Sequence, residues 1–139
     1  MSAKKKVSFG ILLLFFFGAI IGYKIYNKPH VNVAQEKAAI VSTASKILED
    51  FSSDETAANV KYLGKILQVN GVIAKIETVQ SKCSITLETG AVFGAVLCTL
   101  TIEESAQKRA LQVGQEIQLK GICTGFLMDV ILVKCIILE

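Results

Sequence analysis

From Val7 to Tyr23 the chain carries no charged residue, and the middle of that run, Ile11 to Ile21, is almost wholly aliphatic or aromatic. Adding Ile25 and Tyr26 across Lys24, whose stem can snorkel, gives roughly 20 residues, enough to cross about 30 Å of hydrocarbon. Residues 7–26 therefore read as a transmembrane anchor. A basic tail, 1–6, precedes it and a polar linker, 27–32, follows. Tyr23 and Tyr26 fall where interfacial aromatics belong. The alternative is secretion after signal-peptide cleavage, since a charged start before an apolar run suits both, but Gly18 to Ile20 and Ile20 to Gly22 are poor cleavage sites. Lys4, Lys5, Lys6 and the amino terminus outweigh Lys24 and Lys28, so the positive-inside bias puts the following domain on the extracytoplasmic, periplasmic side.

Beyond the linker the period changes. Val33, Ile40, Ala44, Ile47, Leu48 and Phe51 recur at helical spacing, predicting an amphipathic helix over 33–51. Ser52 to Glu55 matches a capping box and predicts a second helix over 53–60, completing a helical segment, 33–60. From residue 61 the period is that of strands. A long first strand spans 66–78, with Leu67 and Val69 inward and then, after a phase change at Gly71, Val72, Ala74 and Ile76; a glycine at such a point signals a bulge. Residues 83–87 and 92–100 give a second and third strand. Thr101 to Glu104 is another capping box, opening a helix to about Gln112 with Gly114 as its C-cap. Residues 115–124 and 129–138 make the last two strands, the latter with Ile131, Val133, Cys135 and Ile137 inward, and Gly125 to Met128 turns the chain between them. The fold class is mainly β with α. A transmembrane helix and an amphipathic helix precede a five-stranded OB-fold barrel, with a helix between its third and fourth strands, over 61–139.

Several segments carry a family resemblance: Ala58 to Lys65 (ANVKYLGK), Val69 to Val72 (VNGV), Leu111 to Gly114 (LQVG) and Lys120 to Gly125 (KGICTG), with Asp129, Val130 and Cys135 beyond. Over residues 45–139 the chain resembles the tRNA-anticodon-like OB-fold family of small bacterial envelope proteins. The resemblance implies a barrel behind an anchor or signal. Its motifs mark turns and a bulge rather than chemistry, so it transfers no active residue and does not itself imply tRNA binding.

Charge sharpens this. The net charge is +3, but Lys4, Lys5, Lys6 and Lys24 belong to the anchor, leaving eleven basic against twelve acidic residues in 27–139. Nucleic-acid surfaces normally show a basic excess, and single-strand binders add exposed aromatics. This region has only Phe51, Tyr62, Phe93 and Phe126, and no tryptophan. Phe51 lies on the helical stripe and Phe93 in an apolar strand, leaving Tyr62 and Phe126 as surface candidates. Single-stranded nucleic acid is therefore an unlikely partner.

Catalytic chemistry is not indicated. The only histidine, His30, sits beside Pro29 in the linker, so no Ser/His/Asp set can form in ordinary fashion and no metal is implied. Asp54, Glu55, Glu103 and Glu104 fall in helix first turns, where the macrodipole favours them; Asp129 is a turn residue. No cofactor is implied. Cys83, Cys98, Cys123 and Cys135 are too widely spaced for a zinc ribbon or a CxxC redox site. They read as core thiols, or as a disulfide between Cys123 and Cys135 on adjoining strands, or between Cys98 and Cys135 where the third and fifth strands meet at barrel closure.

The expectation is thus a non-enzymatic, membrane-anchored OB-fold binding or scaffold module of the cell envelope. Its partner would be a protein, glycan or small ligand, held on the face of the second and third strands and the adjoining loops; Lys82, Thr124 and Phe126 are the candidate contacts. The alternative is a structural subunit of a membrane protein assembly.

Overall fold

A computed structural model describes residues 2–27, 31–107 and 110–138. The chain divides into two compact units, Met1–Val31 and Asn32–Glu139. In the first, α1 (Ala3–Tyr26) has 24 residues and buries none of them, and at 1.5 Å per residue it is about 36 Å long. With a mean hydropathy of 2.0 over its apolar window, it is long and apolar enough to cross a membrane. That fits an anchor or a signal peptide alike. Asn27 closes its last turn by donating its N–H to the Tyr23 carbonyl. Lys28, Pro29 and His30, on which the linker reading rests, lie outside the described residues.

The second unit is built from β1 (Ile40–Thr43), α2 (Ala44–Ser53), α3 (Glu55–Tyr62), β2 (Ile66–Val79), β3 (Lys82–Glu88), β4 (Val96–Leu100), α4 (Ile102–Ala106), β5 (Glu116–Leu127) and β6 (Asp129–Leu138). Its strands are ordered β1-β2-β3-β4-β6-β5, and a further pairing of β2 with β5 closes the last five into a barrel. β2 is long enough to serve two partners. Its first half, Ile66 to Val72, pairs antiparallel with β5, and from Val72 onward it pairs with β3. β1 runs parallel to the first half, Ile40 opposite Leu67 and Thr43 opposite Asn70. It thereby covers the edge of β2 that β3 does not reach, removing a row of unpaired backbone groups.

The core fills the barrel and continues under α2 and α3. Ala44, Ile47, Leu48 and Phe51 recur at helical spacing along one face of α2 and are all buried. They join Ala58 and Tyr62 of α3 and, from the strands, Leu67, Val69, Ile73, Ile85, Leu87, Val96, Leu119, Val130 and Leu132. Burying each such aliphatic or aromatic side chain contributes about 1.5–3 kcal/mol. One polar knot lies beside this packing: the Asp50 carboxylate accepts from the Tyr62 hydroxyl at 2.5 Å and from Lys61 Nζ at 2.9 Å, and Lys46 Nζ approaches its other oxygen at 2.9 Å. The Tyr62 bond, with the two lysines, holds Asp50 well below the usual carboxylate range. Burial, with the Asp50 charge, pushes the Tyr62 hydroxyl up.

Several expectations are corrected. No helix spans 33–51. Residues 40–43 form β1, and α2 starts only at Ala44, behind Thr43, whose hydroxyl caps the Lys46 N–H at 3.2 Å. Val33 is buried, but not as part of a helical stripe. α3 is capped by Asp54, not Ser52, through its bond from the Ala57 N–H at 3.1 Å, and runs on to Tyr62. The bulge in β2 falls between Ile73 and Lys75 rather than at Gly71, so Ile73 points inward and Ala74 outward. Gly71 is instead where a Cβ would press on Leu87 and Ala44. Residues 92–95 are loop, and β4 begins at Val96. Thr101 caps α4 as its capping box predicts, with the Glu104 N–H bonded at 3.1 Å. The helix nevertheless ends at Ala106, and Gly114 (φ 88°) donates its N–H to Ile73 rather than closing the helix. In β6 the buried set is Val130, Leu132 and Cys135, with Ile131 and Val133 only half-buried. A bulge at Lys134 switches the phase there.

Candidate functional site

The two ends of the barrel differ. At one end Val79 pairs with Lys82 across a two-residue turn in which Gln80 (φ 48°) and Ser81 (φ 67°) both adopt left-handed backbone, the geometry that matches the right-handed twist of a tight hairpin. Beside that turn lies α4. The Ser105 hydroxyl donates to the Thr101 carbonyl at 2.8 Å and accepts from the Cys83 N–H at 3.1 Å, pinning α4 against β3. Between them opens a cleft of about 570 Å³ lined by Ile76, Thr78, Ser81, Cys83, Leu100, Ile102, Glu104, Ser105, Ala106, Leu111 and Ile137. The volume is that of a small-ligand site, and so is the composition, apolar walls with a few polar groups. Among the described residues that line it, Glu104 alone is charged and none is aromatic. Glu104 is itself buried.

The opposite end is closed. Phe126 of β5 stacks on Phe51 of α2 at 5.4 Å between centroids, and Phe51 stacks on Tyr62 of α3 at 5.7 Å. Two loops meet beside this stack. The Asp129 carboxylate accepts from the Ala95 N–H at 2.9 Å, and the Val130 N–H donates to the Ala95 carbonyl. The Thr89 hydroxyl donates to the Gly94 carbonyl, and Ser45 of α2 donates to the Thr89 carbonyl. These braced loops display Val92 (90% exposed), Phe93 (82%), Leu127 (80%) and Met128 (75%).

The candidate contacts are therefore divided. Lys82 is exposed at the β2–β3 turn, beside the open cleft. Thr124 and Phe126 lie on β5 toward the closed end, because Phe126 pairs with Val130, which in turn pairs with Val96 at the far end of β3 and β4 from Lys82. The Thr124 hydroxyl donates to the Ile131 carbonyl at 3.3 Å. The aromatic expectation is reversed: Tyr62 and Phe126 are packed, whereas Phe93 is the exposed ring. The glycines flanking the short Ala91-Val92-Phe93 stretch, Gly90 and Gly94, both have positive φ. They were the sequence signal that a strand could not start at Val92.

Cys98, Cys123 and Cys135 are buried and Cys83 is half-buried. No bond joins any two of them in this structure. Cys123 faces Leu132 across β5–β6, not Cys135, so the strands do not present those two as a facing pair. Cys98 lies one rung from Cys135 across β4–β6, and its interaction with that thiol, with burial, pushes its ionisation up. Burial likewise pushes the Cys123 thiol up. Among the described residues, no group of three or more His, Cys, Asp or Glu side chains converges as a metal site would require.

A closed five-stranded barrel with a short helix between its third and fourth strands, carried behind an apolar helix, defines an OB-fold protein. The chain belongs to the tRNA_anti-like family, whose model matches residues 1–137. Among solved structures it is similar to a Klebsiella pneumoniae lipoprotein described as a candidate nucleic acid-binding protein, at 18% identity and TM-score 0.59, covering 81% of this chain and all of that one. It is similar at 19% identity and TM-score 0.42 to a chain of the S. pombe Stn1–Ten1 complex, covering 53% and 58% of the two chains. An aspartyl-tRNA synthetase assigned in Leishmania major matches at 10% identity and TM-score 0.49, over 86% of this chain and 25% of the enzyme. No curated protein sequence matches. At these identities the likeness concerns the fold.

Proposed function

We propose that this protein is a membrane-anchored OB-fold binding module of the cell envelope, with its domain on the extracytoplasmic side, and that the cleft beside α4 takes a small or extended apolar ligand. The observation that carries the reading is the cleft's chemistry: aliphatic walls, no ring for a base to stack on, and a carboxylate as the one charged group among the described lining residues. The described lining suits an aliphatic group better than a stacked base, which favours an aromatic platform. The Klebsiella neighbour has been linked to nucleic acid, which makes a nucleic-acid strand the right control. Lys82, at the mouth, would meet the polar end of a ligand; Thr124 and Phe126 would lie outside the site.

The test uses the full chain in lipid nanodiscs with methyl-labelled Ile and Leu. A short aliphatic alcohol should shift the Ile76, Leu100 and Ile137 methyls saturably, and Ala106→Trp, which fills the exposed mouth, should abolish the shifts. A labelled oligo-dT strand should show no saturable anisotropy change at low salt. Saturable strand binding that weakens steeply with salt, or methyls that do not respond to the alcohol, would overturn the reading.

The second reading, a structural subunit of a membrane assembly, is favoured by the exposed Val92, Phe93, Leu127 and Met128 on braced loops. Native sizing of the gently extracted full chain decides it. A complex that dissociates with Phe93→Asp supports assembly, and a monomer removes it.

A further inference from the structure

Cys98 and Cys135 lie one rung apart on the core side of paired strands, and three separate features of the chain put them there. The first is the register of the parallel β4–β6 pair. Cys98 stands opposite Leu132 and Leu100 opposite Cys135, so β6 spends one more residue than β4 over this stretch. The second is Lys134, which takes the left-handed backbone (φ 52°) of that bulge, keeps its own side chain outside and returns Cys135 to the core. The third is Gly121 across β5, where a Cβ would overlap the Cys135 sulfur. Both side chains are fully buried in the same core, one rung apart on the paired strands β4 and β6. Cys123, equally buried, shows that a small apolar thiol can fill this core without a partner. A lysine in left-handed backbone and a glycine that gives way to one sulfur are local costs that plain core filling does not require.

We propose that Cys98 and Cys135 are a disulfide-forming pair that ties β4 to β6 when the domain matures in an oxidising compartment. The compartment rests on the extracytoplasmic reading above; the pairing rests on the geometry. The two thiols give up two protons and two electrons, and the disulfide of a thiol–disulfide oxidoreductase takes them up to become a dithiol. One cysteine thiolate attacks that disulfide and expels a thiolate, forming a mixed disulfide. The second cysteine then displaces the oxidoreductase sulfur and leaves the Cys98–Cys135 bond. Both sulfurs are sealed once the barrel closes, so the exchange belongs to the folding chain.

The experiment counts maleimides on the full chain. Membranes are quenched with N-ethylmaleimide, denatured and weighed by mass spectrometry with and without prior reduction. The side of the domain is read separately by protease access to spheroplasts. Two adducts before reduction and four after it are expected. Cys98→Ser should then show three without reduction, and Cys123→Ser one. Four adducts on an unreduced, externally placed domain would overturn the proposal, as would a Cys98→Ser chain carrying only one, which would put the bond between two other cysteines. If protease places the domain inside, the extracytoplasmic reading fails on its own. The count is then made on the same chain sent outward by a fused cleavable export signal, where two adducts keep the pair and four remove it.

Discussion

Asp50 concentrates more electrostatic consequence than any other single residue described. Its carboxylate is only 19% exposed and serves a tyrosine hydroxyl and two lysines at once. Because its folded pKa is depressed, the stabilisation it supplies is present above the carboxyl's unfolded value of about 3.9 and is lost as pH falls below that toward the folded value. Asp50→Asn should lower stability at neutral pH by about 1–2 kcal/mol, since hydrogen bonds to a charged group become neutral ones. It should also flatten the acid limb of the thermal stability curve between about pH 4 and 2. Thermal unfolding of wild type and variant across that range is the check, and equal acid limbs would refute it. None of this was legible in the sequence. Asp50 reads there as one polar residue on a helix, and its partners Lys61 and Tyr62 belong to a helix that had to be folded back first. The aromatic residues make the same point: a ring's sequence neighbours do not say whether another ring will cover it, as Phe51 covers Phe126.

At the scale of elements, some outcomes are fixed by a local signal in the chain and others only by pairing partners. Thr101 and its capping box located α4, and alternation located β3, β5 and β6. β1 was overlooked, although Ile40, Val41 and Thr43 are β-branched and such residues favour a pleated, half-buried surface. Val33 and Ile40 share the helical spacing of Ala44, Ile47 and Phe51, and only the ladder with β2 reveals that Ile40 belongs to a strand. Bulges are similarly invisible until a partner strand exists to be out of step with. The reassigned caps can be tested directly. Thr43→Ala and Asp54→Ala should each cost roughly 1 kcal/mol of unfolding free energy, the usual loss of an N-cap. Ser52→Ala, exposed in the last turn of α2, should stay within about 0.5 kcal/mol of wild type. Denaturant titration of the three variants distinguishes the arrangement; a loss at Ser52 equal to that at Asp54 would contradict it.

For the whole molecule, the greatest legibility lay in the division between apolar helix and barrel, because it rests on hydrophobic runs and strand alternation rather than on tertiary detail. The cleft was least legible: its walls come from β2, β3, β4, α4 and β6, and no spacing in the chain announces their convergence. The division makes a partition prediction. The full chain should stay with membranes through an alkaline carbonate wash, whereas a chain beginning at Asn32 should be recovered in the aqueous fraction with the same near-native circular dichroism; a washable full chain would argue for a cleaved leader.

The two-partner strand β2 also dictates an order of events during biogenesis. Its first half is sealed against β5, and β5 in turn against β6, which ends at Leu138. A chain emerging amino terminus first can lay β1 on β2 and fold the β2–β3 hairpin early, but the cylinder stays an open sheet until β6 has arrived. Through that interval the nascent domain carries sticky, unsealed margins, and any stop that removed the β5–β6 hairpin would leave them that way.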